Sequence, residues 1–157
     1  MKLFLDDIRY PIDCASYMYR DGVDCKIYHE EWVIVRSYKK FVEHITKHGL
    51  PDLISFDHDL ADISYNPELH QETVVWHEKT GMDCAGWLVN YCLDNNLKLP
   101  SFHVHSANPA GKENIIGLLD GFNKAQDKEA YNKLKKNLNE VSMKAIEDHL
   151  AKYNTEE

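Results

Sequence analysis

The chain has 157 residues, 43% of them hydrophobic, which suffices for one domain with a substantial core. Its net charge of −8, from 18 Lys and Arg against 26 Asp and Glu, counts against duplex DNA as a partner and leaves a nucleotide or RNA-end phosphate as the acceptable anion. No apolar run approaches a membrane span or resembles a signal peptide, and Cys14, Cys25, Cys84 and Cys92 lack metal or redox spacing, so free thiols and a cytoplasmic location are expected.

Leu3-Phe4-Leu5 reads as a short buried strand stopped by Asp6-Asp7. Residues 8–31 lack clean periodicity and carry Pro11, Gly22 and four tyrosines, too long for a structureless loop unless it is functional or hides a short helix. Trp32–Val35 is a β-branched run and a second strand. Ser37 then caps a helix with Phe41, Val42 and Ile45 on its apolar face, ending near Gly49 before Pro51. Residues 53–57 make a third strand, and 60–79 a second long connection containing Tyr65, Asn66-Pro67 and Trp76. Thr80-Gly81-Met82-Asp83 opens a helix that is expected to bury Met82, Ala85, Val89, Cys92 and Leu93. Pro100 precedes a fourth strand at 102–105. Asn108 caps a helix with Pro109 at its first position and Ile115, Leu118, Leu119 and Phe122 inward. The tail, rich in Lys, Glu, Asn and Leu, reads as one or two helices packed through Leu134, Leu138, Val141, Ala145 and Leu150.

Strands alternating with helices predict an α/β fold with a mostly parallel sheet of about four strands. Residues 1–123 form that domain, and 124–157 a helical extension packed on it. Right-handed crossovers put strand 1 between strands 2 and 3 in a flavodoxin-like order, with the ligand crevice where the order reverses. The two strands at that point end in Asp6-Asp7 and in Asp57-His58-Asp59.

Clustered carboxylates repel one another unless a cation joins them. Asp6, Asp7 and Asp57 suit Mg2+ or Mn2+, and Asp59 shares their side if the strand stays extended, unless it simply serves a turn. His103 and His105 alternate with Phe102 and Val104 and share a face. His105, nearer the strand end, is the better acid or base, and His103 a structural histidine. His58, between two acids, either serves as a general acid or turns into a helix. Ser106 through Lys112 joins a strand end to a helix start, where free N–H groups attract an anion. Ser106, Asn108 and Lys112, with Arg9 and Arg36, are the phosphate candidates, each basic residue equally suited to a salt bridge with the acids. Tyr10, Tyr17 and Trp76 offer rings for stacking a base, or simple loop packing. Asp57-His58-Asp59 also fits the Asp-x-Asp of haloacid-type phosphatases, although Leu60 stands where Thr or Val belongs.

Five segments together resemble a known family: Leu-Phe-Leu-Asp-Asp-Ile-Arg-x-Pro (3–11), Trp-Val-Ile-Val-Arg-Ser (32–37), Ile-Ser-Phe-Asp-His-Asp-Leu (54–60), Thr-Gly-Met-Asp (80–83) and His-Ser-Ala-Asn-Pro-Ala-Gly (105–111). They are similar to the cyclic-phosphate-processing receiver-like domain, a variant of the two-component receiver fold, over roughly residues 1–123. The resemblance implies that Asp6 and Asp7 hold metal, that Asp57 stands at the phosphoacceptor position, and that Ser106 stands at the switch Ser/Thr position. The chain departs from ordinary receivers in lacking a fifth strand that ends in lysine, in its irregular first helical region, and in the histidines around the acids. These departures favour hydrolysis or binding over aspartyl-phosphate signalling. The expected function is a metal-dependent phosphodiesterase acting on a 2′,3′-cyclic phosphate of an RNA end or small nucleotide, in RNA repair or phage–host conflict. The alternative is a non-catalytic module that binds or sequesters a nucleotide or a protein partner. Oligomeric state leaves no signature in the sequence.

Overall fold

Parallel strands covered on both faces must be apolar along their whole length, and the two central strands here meet that demand except at Lys2, the half-buried first residue of one, and Ser55, buried within the other. The computed structural model describes the backbone of residues 1–60, 63–66, 71–74 and 79–153, and the side chains of 1–60, 79–140 and 143–144. In chain order the elements are β1 (Lys2–Leu5), α1 (Pro11–Arg20), a 3-10 helix (Cys25–His29), β2 (Val33–Val35), α2 (Tyr38–His48), β3 (Leu53–Phe56), β4 (Ile63–Asn66), β5 (Gln71–Val74), α3 (Gly81–Asp94), β6 (Ser101–Val104) and α4 (Pro109–Tyr153).

The main sheet has the order β2-β1-β3-β6 with every pairing parallel, so β1 lies between β2 and β3 as the crossover rule requires. Phe4, Ser55 and His103 are register partners across three strands. The ladder runs one residue beyond the strands: Asp6 N donates to Val35 O (3.2 Å), Asp57 N to Leu5 O (2.9 Å) and His105 N to Phe56 O (2.9 Å). Asp6, Asp57 and His105 therefore stand abreast at the carboxyl edge, two residues beyond Phe4, Ser55 and His103 and on the same face. That face carries a core cluster of Phe4, Cys14, Ala15, Met18 and Tyr28, so α1 and the 3-10 helix cover it. On the other face Phe41 of α2 meets Phe56 (5.8 Å between ring centres) and Trp87 (6.0 Å).

Both long connections carry secondary structure, and the first contains the short helix that the sequence left unplaced. Residues 11–20 form a true helix with Pro11 at its first position, and its inner residues Pro11, Cys14, Ala15 and Met18 do keep helical spacing. Proline, cysteine and alanine carry that stripe, which makes it faint to a hydrophobicity reading. In the second connection, β4 and β5 pair antiparallel, Ile63 opposite Val74, in a sheet of their own.

The helix ends follow their capping chemistry. Ser37 Oγ accepts from Lys40 N (3.3 Å), and Gly49, at φ +80°, closes α2 in the left-handed region. Thr80 N donates to Asp83 Oδ2 (2.7 Å) while Thr80 Oγ1 accepts from Asp83 N (3.4 Å), and Asn108 Oδ1 accepts from Gly111 N (3.0 Å) at the start of α4. The inner face of α3 holds Ala85 and Cys92 as expected, joined by Cys84 and Leu88. Met82 and Val89 are only half-buried, and Leu93 is exposed. In α4, Ile115 and Leu119 are buried and Leu118 and Phe122 half-buried.

A Cβ on Gly81 would fall 1.8 Å from the Asp57 carbonyl oxygen, so α3 starts against the strand end only because that residue lacks a side chain. Gly81→Ala should therefore lower the free energy of unfolding by on the order of 3 kcal/mol, read from urea denaturation. An unchanged midpoint would mean that this close approach is not present in solution.

The chain divides into two compact units, Met1–Asp120 and Gly121–Glu157. In the second, Leu134 and Leu138, expected as packing residues, are more than half exposed, and the side chains of Val141, Ala145 and Leu150 lie outside the described residues. All four cysteines are free thiols, three of them buried. Among the described residues no helix is long and apolar enough to cross a membrane.

Candidate functional site

Asp6 is the electrostatic centre of the carboxyl edge. It is fully buried, and each of its oxygens receives two donors. Oδ1 accepts from the backbone N–H groups of Ile8 (2.8 Å) and Arg9 (2.5 Å); Oδ2 accepts from Arg9 Nε (2.7 Å) and His105 Nε2 (3.1 Å). Burial works against the ionised form. The His105 hydrogen bond, the two amides and the Arg9 charge outweigh it and hold the carboxyl well below the usual carboxylate range.

Arg9 spans two carboxylates. Nε binds Asp6, Nη2 lies 2.8 Å from Asp57 Oδ2, and Nη1 donates to the Tyr17 hydroxyl (3.0 Å), which donates to Cys14 Sγ (2.7 Å). Burial disfavours its charge, but Asp57 and Asp6 more than compensate and hold the guanidinium protonated. Asp57 Oδ1 accepts from His58 N (2.8 Å). Burial raises the Cys14 thiol to about 11, so it is an inert core thiol.

A buried polar chain runs beneath these acids. Tyr28 Oη lies 2.8 Å from Ser55 Oγ and 3.2 Å from His103 Nδ1, and Ser55 Oγ lies 2.7 Å from His105 Nδ1. Phe4 stacks flat on the His105 ring at 4.3 Å. Burial lowers the His105 pKa, prevailing over the Asp6 bond and the Asp57 charge, and burial is also the main cause that lowers that of His103. A neutral His105 facing a carboxylate must carry its proton on Nε2. Nδ1 then accepts from Ser55, Ser55 accepts from Tyr28, and Tyr28 accepts from His103. The whole chain has one donor direction, set by the charge on Asp6. Ser55, His105 and Asp6 follow the order of a Ser–His–Asp triad, but the serine is fully buried and can attack nothing.

An open cleft of about 440 Å³ lies above this layer, lined by Asp7, Ile8, Arg9, Asp57, Asp59, Leu60, Thr80 and Ala107. Asp59 is exposed, and its Oδ1 accepts from His58 Nδ1 at 2.7 Å. That bond is the main cause holding Asp59 below its usual range. The ring of His58 packs so closely on α4 that a Cβ on Gly111 would fall 2.3 Å from its Cγ.

The edge thus brings Asp6, Asp7, Asp57, Asp59 and Arg9 together, and the other candidates take different places. His105, expected as the acid or base, is sealed below Asp6 with both ring nitrogens engaged, so it orients that carboxylate and does not face the cleft. Arg9, expected on a phosphate, is paired with two carboxylates. Arg36 Nη1 donates to the carbonyls of Asp6 (3.0 Å) and Arg9 (2.5 Å), with its guanidinium over the Tyr10 ring at 4.7 Å, so it braces the loop after β1. Lys112 is ion-paired with Asp21, away from the cleft lining. Ser106 is buried and accepts from Asn108 N (3.2 Å). Asn108 caps α4 and brings Nδ2 to 3.4 Å from Asp59 Oδ1. Tyr17 is tied to Arg9, Tyr10 lies under Arg36, and Trp76 falls outside the described residues. Ser55 and Tyr28, and Thr80 as a cleft residue, were not anticipated. The available signal was Ser55, a hydroxyl inside an apolar central strand that has to find a buried partner.

Asp6, Asp7 and Asp57 each offer an oxygen within 4.8 Å of the other two. Asp6 already has its four acceptor positions filled, whereas Asp57 accepts one bond at each oxygen among the described residues and keeps capacity for a further partner.

One comparison with known proteins agrees with this frame. The family model for the cyclic-phosphate processing receiver domain matches residues 1–121. No curated protein matches. Among solved structures, a yeast Spc42 trimeric coiled coil fused to another structure is similar at 17% identity and a TM-score of 0.38, over 95% of this chain and 90% of that one; a likeness at that level carries no argument. With a parallel β2-β1-β3-β6 sheet, paired acids after β1, an acid after β3 and the family model matched over residues 1–121, the chain belongs to the cyclic-phosphate processing receiver domain family.

Proposed function

We propose that this domain opens a cyclic phosphate, on a 2′,3′-cyclic RNA end or a small cyclic nucleotide, with a divalent cation, Mg2+ or Mn2+, bound at the carboxyl edge of the sheet. The observation that carries the reading is the cleft itself: three carboxylates and one guanidinium line an open pocket at the switch point of a parallel sheet. The donor set fits a hard cation, since it is all oxygen and closely spaced. Asp7 and Asp57 hold it, with Asp6 behind them fixing Arg9. A bound cation would neutralise charge on the phosphoryl oxygens and make water easier to deprotonate.

The chain's own groups do the rest. Asp59, kept ionised by His58, takes a proton from the attacking water. The water oxygen bonds to phosphorus while one ribose oxygen leaves, and the Asp59–His58 pair returns the proton to that oxygen. Arg9 and Thr80 orient the phosphate in the cleft. The basic residues of the phosphate candidates apart from Arg9 are engaged elsewhere, so the cleft suits one phosphate and not a long backbone.

Incubation with 2′,3′-cyclic nucleotides and a cyclic-ended RNA, in Mn2+, Mg2+ or EDTA, tests this directly. The expected result is a phosphomonoester signal by phosphorus NMR that EDTA removes. Absence of product with every metal would overturn it. One observation favours the second reading, a module that binds a nucleotide without cleaving it. Arg9 already neutralises Asp6 and Asp57 without any added ion. Saturable binding with no turnover is the result that would select it.

A further inference from the structure

We propose that Arg9 couples the two charges this site must hold: paired with both Asp6 and Asp57 it blocks weak metal binding, and a divalent cation and a phosphate together draw its Nη2 off Asp57 onto the phosphate. The inference rests on the metal-and-phosphate reading above and assigns the residue that makes each ligand depend on the other.

The two ends of the Arg9 clamp differ. At one end, Nε meets an Asp6 that is fully buried and fixed by two backbone amides and His105. At the other, Nη2 meets Asp57 in the wall of an open cleft, and the Arg9 side chain is itself 28% exposed there. The Asp6 contact is therefore the pivot and the Asp57 contact the one that opens. A cation on Asp57 sets like charge beside Nη2 and weakens that contact. A phosphate in the cleft offers Nη2 replacement oxygens in the fork geometry guanidinium prefers. Each ligand alone meets an obstacle: the metal meets a competing cation, and the phosphate meets Asp57 and Asp59 with an arginine already engaged. Together they remove both obstacles, so their binding is positively coupled, and linkage makes the coupling reciprocal. The guanidinium is one rigid plane, so a turn about Nε also shifts Nη1 and lengthens its bond to the Tyr17 hydroxyl.

The test is Mn2+ affinity, followed by the electron paramagnetic resonance of free Mn2+, for the full chain with and without saturating inorganic phosphate. Wild type should bind Mn2+ several-fold more tightly when phosphate is present. Arg9→Met should bind Mn2+ about tenfold more tightly than wild type without phosphate, because the competing charge is gone, and phosphate should then add little. Arg9→Lys keeps the charge but cannot span both carboxylates, and should fall between the two; it also serves if the methionine variant does not fold. Equal or weaker Mn2+ binding by a folded Arg9 variant, or a phosphate effect as large in it as in wild type, would overturn the proposal, as would no Mn2+ binding by any of the three. Catalysis is not the readout. Metal binding that follows this pattern with no turnover would remove the phosphodiesterase reading and leave the coupling standing.

Discussion

Asp57→Asn is expected to reduce metal-dependent opening of a 2′,3′-cyclic nucleotide by at least about 10³-fold, the scale of losing a charged group that faces the reacting phosphate. The substitution is nearly isosteric, so its effect is electrical. The carboxamide oxygen can still accept the His58 N–H that Asp57 Oδ1 accepts at 2.8 Å. The new amide nitrogen would then point at Arg9 Nη2, where the carboxylate now lies at 2.8 Å, and two donors would face each other. The site loses both its anionic ligand atom and the outer end of the Arg9 clamp. Initial rates across a metal series, alongside circular dichroism to confirm the fold, measure the loss. Turnover within tenfold of wild type would show that the reaction does not pass by Asp57. If wild type itself shows none, the same variant still discriminates: a purely sequestering module would keep its nucleotide affinity when Asp57 is neutralised.

Strand order and the meeting of Asp6, Asp7 and Asp57 were legible in the sequence because they depend on local signals. Apolar runs mark β1 and β3, crossover handedness orders them, and Ser37, Thr80 and Asn108 mark helix starts by capping chemistry that acts over three residues. What escaped depends on contacts distant in sequence. Lys112 reaches Asp21 across 91 residues, and Arg9 reaches Asp57 only because β1 and β3 are neighbours. His105 is the instructive case. Alternation places it on one face with His103, correctly, but alternation cannot say whether that face looks toward the cleft or under α1. The core cluster of Phe4, Cys14, Ala15, Met18 and Tyr28 decides that, and α1 itself was hidden because proline, cysteine and alanine carry its inner stripe. The two histidines ended up inside a polar chain that a single serine in β3 had announced.

That chain makes Asp6 the residue whose loss should cost most in stability. Asp6→Asn should lower the free energy of unfolding at pH 7 by about 3–5 kcal/mol, the range for breaking a buried ion pair. Asparagine still offers one acceptor oxygen, but two backbone amides, His105 and Arg9 now share it. Acid should remove wild-type stability in two stages. His103 and His105 are held neutral, with folded pKa values below the ordinary one of about 6.5, so the unfolded chain binds protons that the native one does not as pH falls below that value. Stability therefore begins to decline there. The Asp6 pKa is also depressed in the folded state, so its contribution is complete above about 3.9 and is lost as pH falls further. In Asp6→Asn the histidine stage should persist and the lower stage shrink, leaving the two proteins most alike at the acid end. Urea denaturation from pH 7.5 to 3 reads both curves. A variant within about 1 kcal/mol of wild type at pH 7, or a wild-type curve that stays flat below pH 6, would mean that Asp6 and His105 are solvated and not joined as described here.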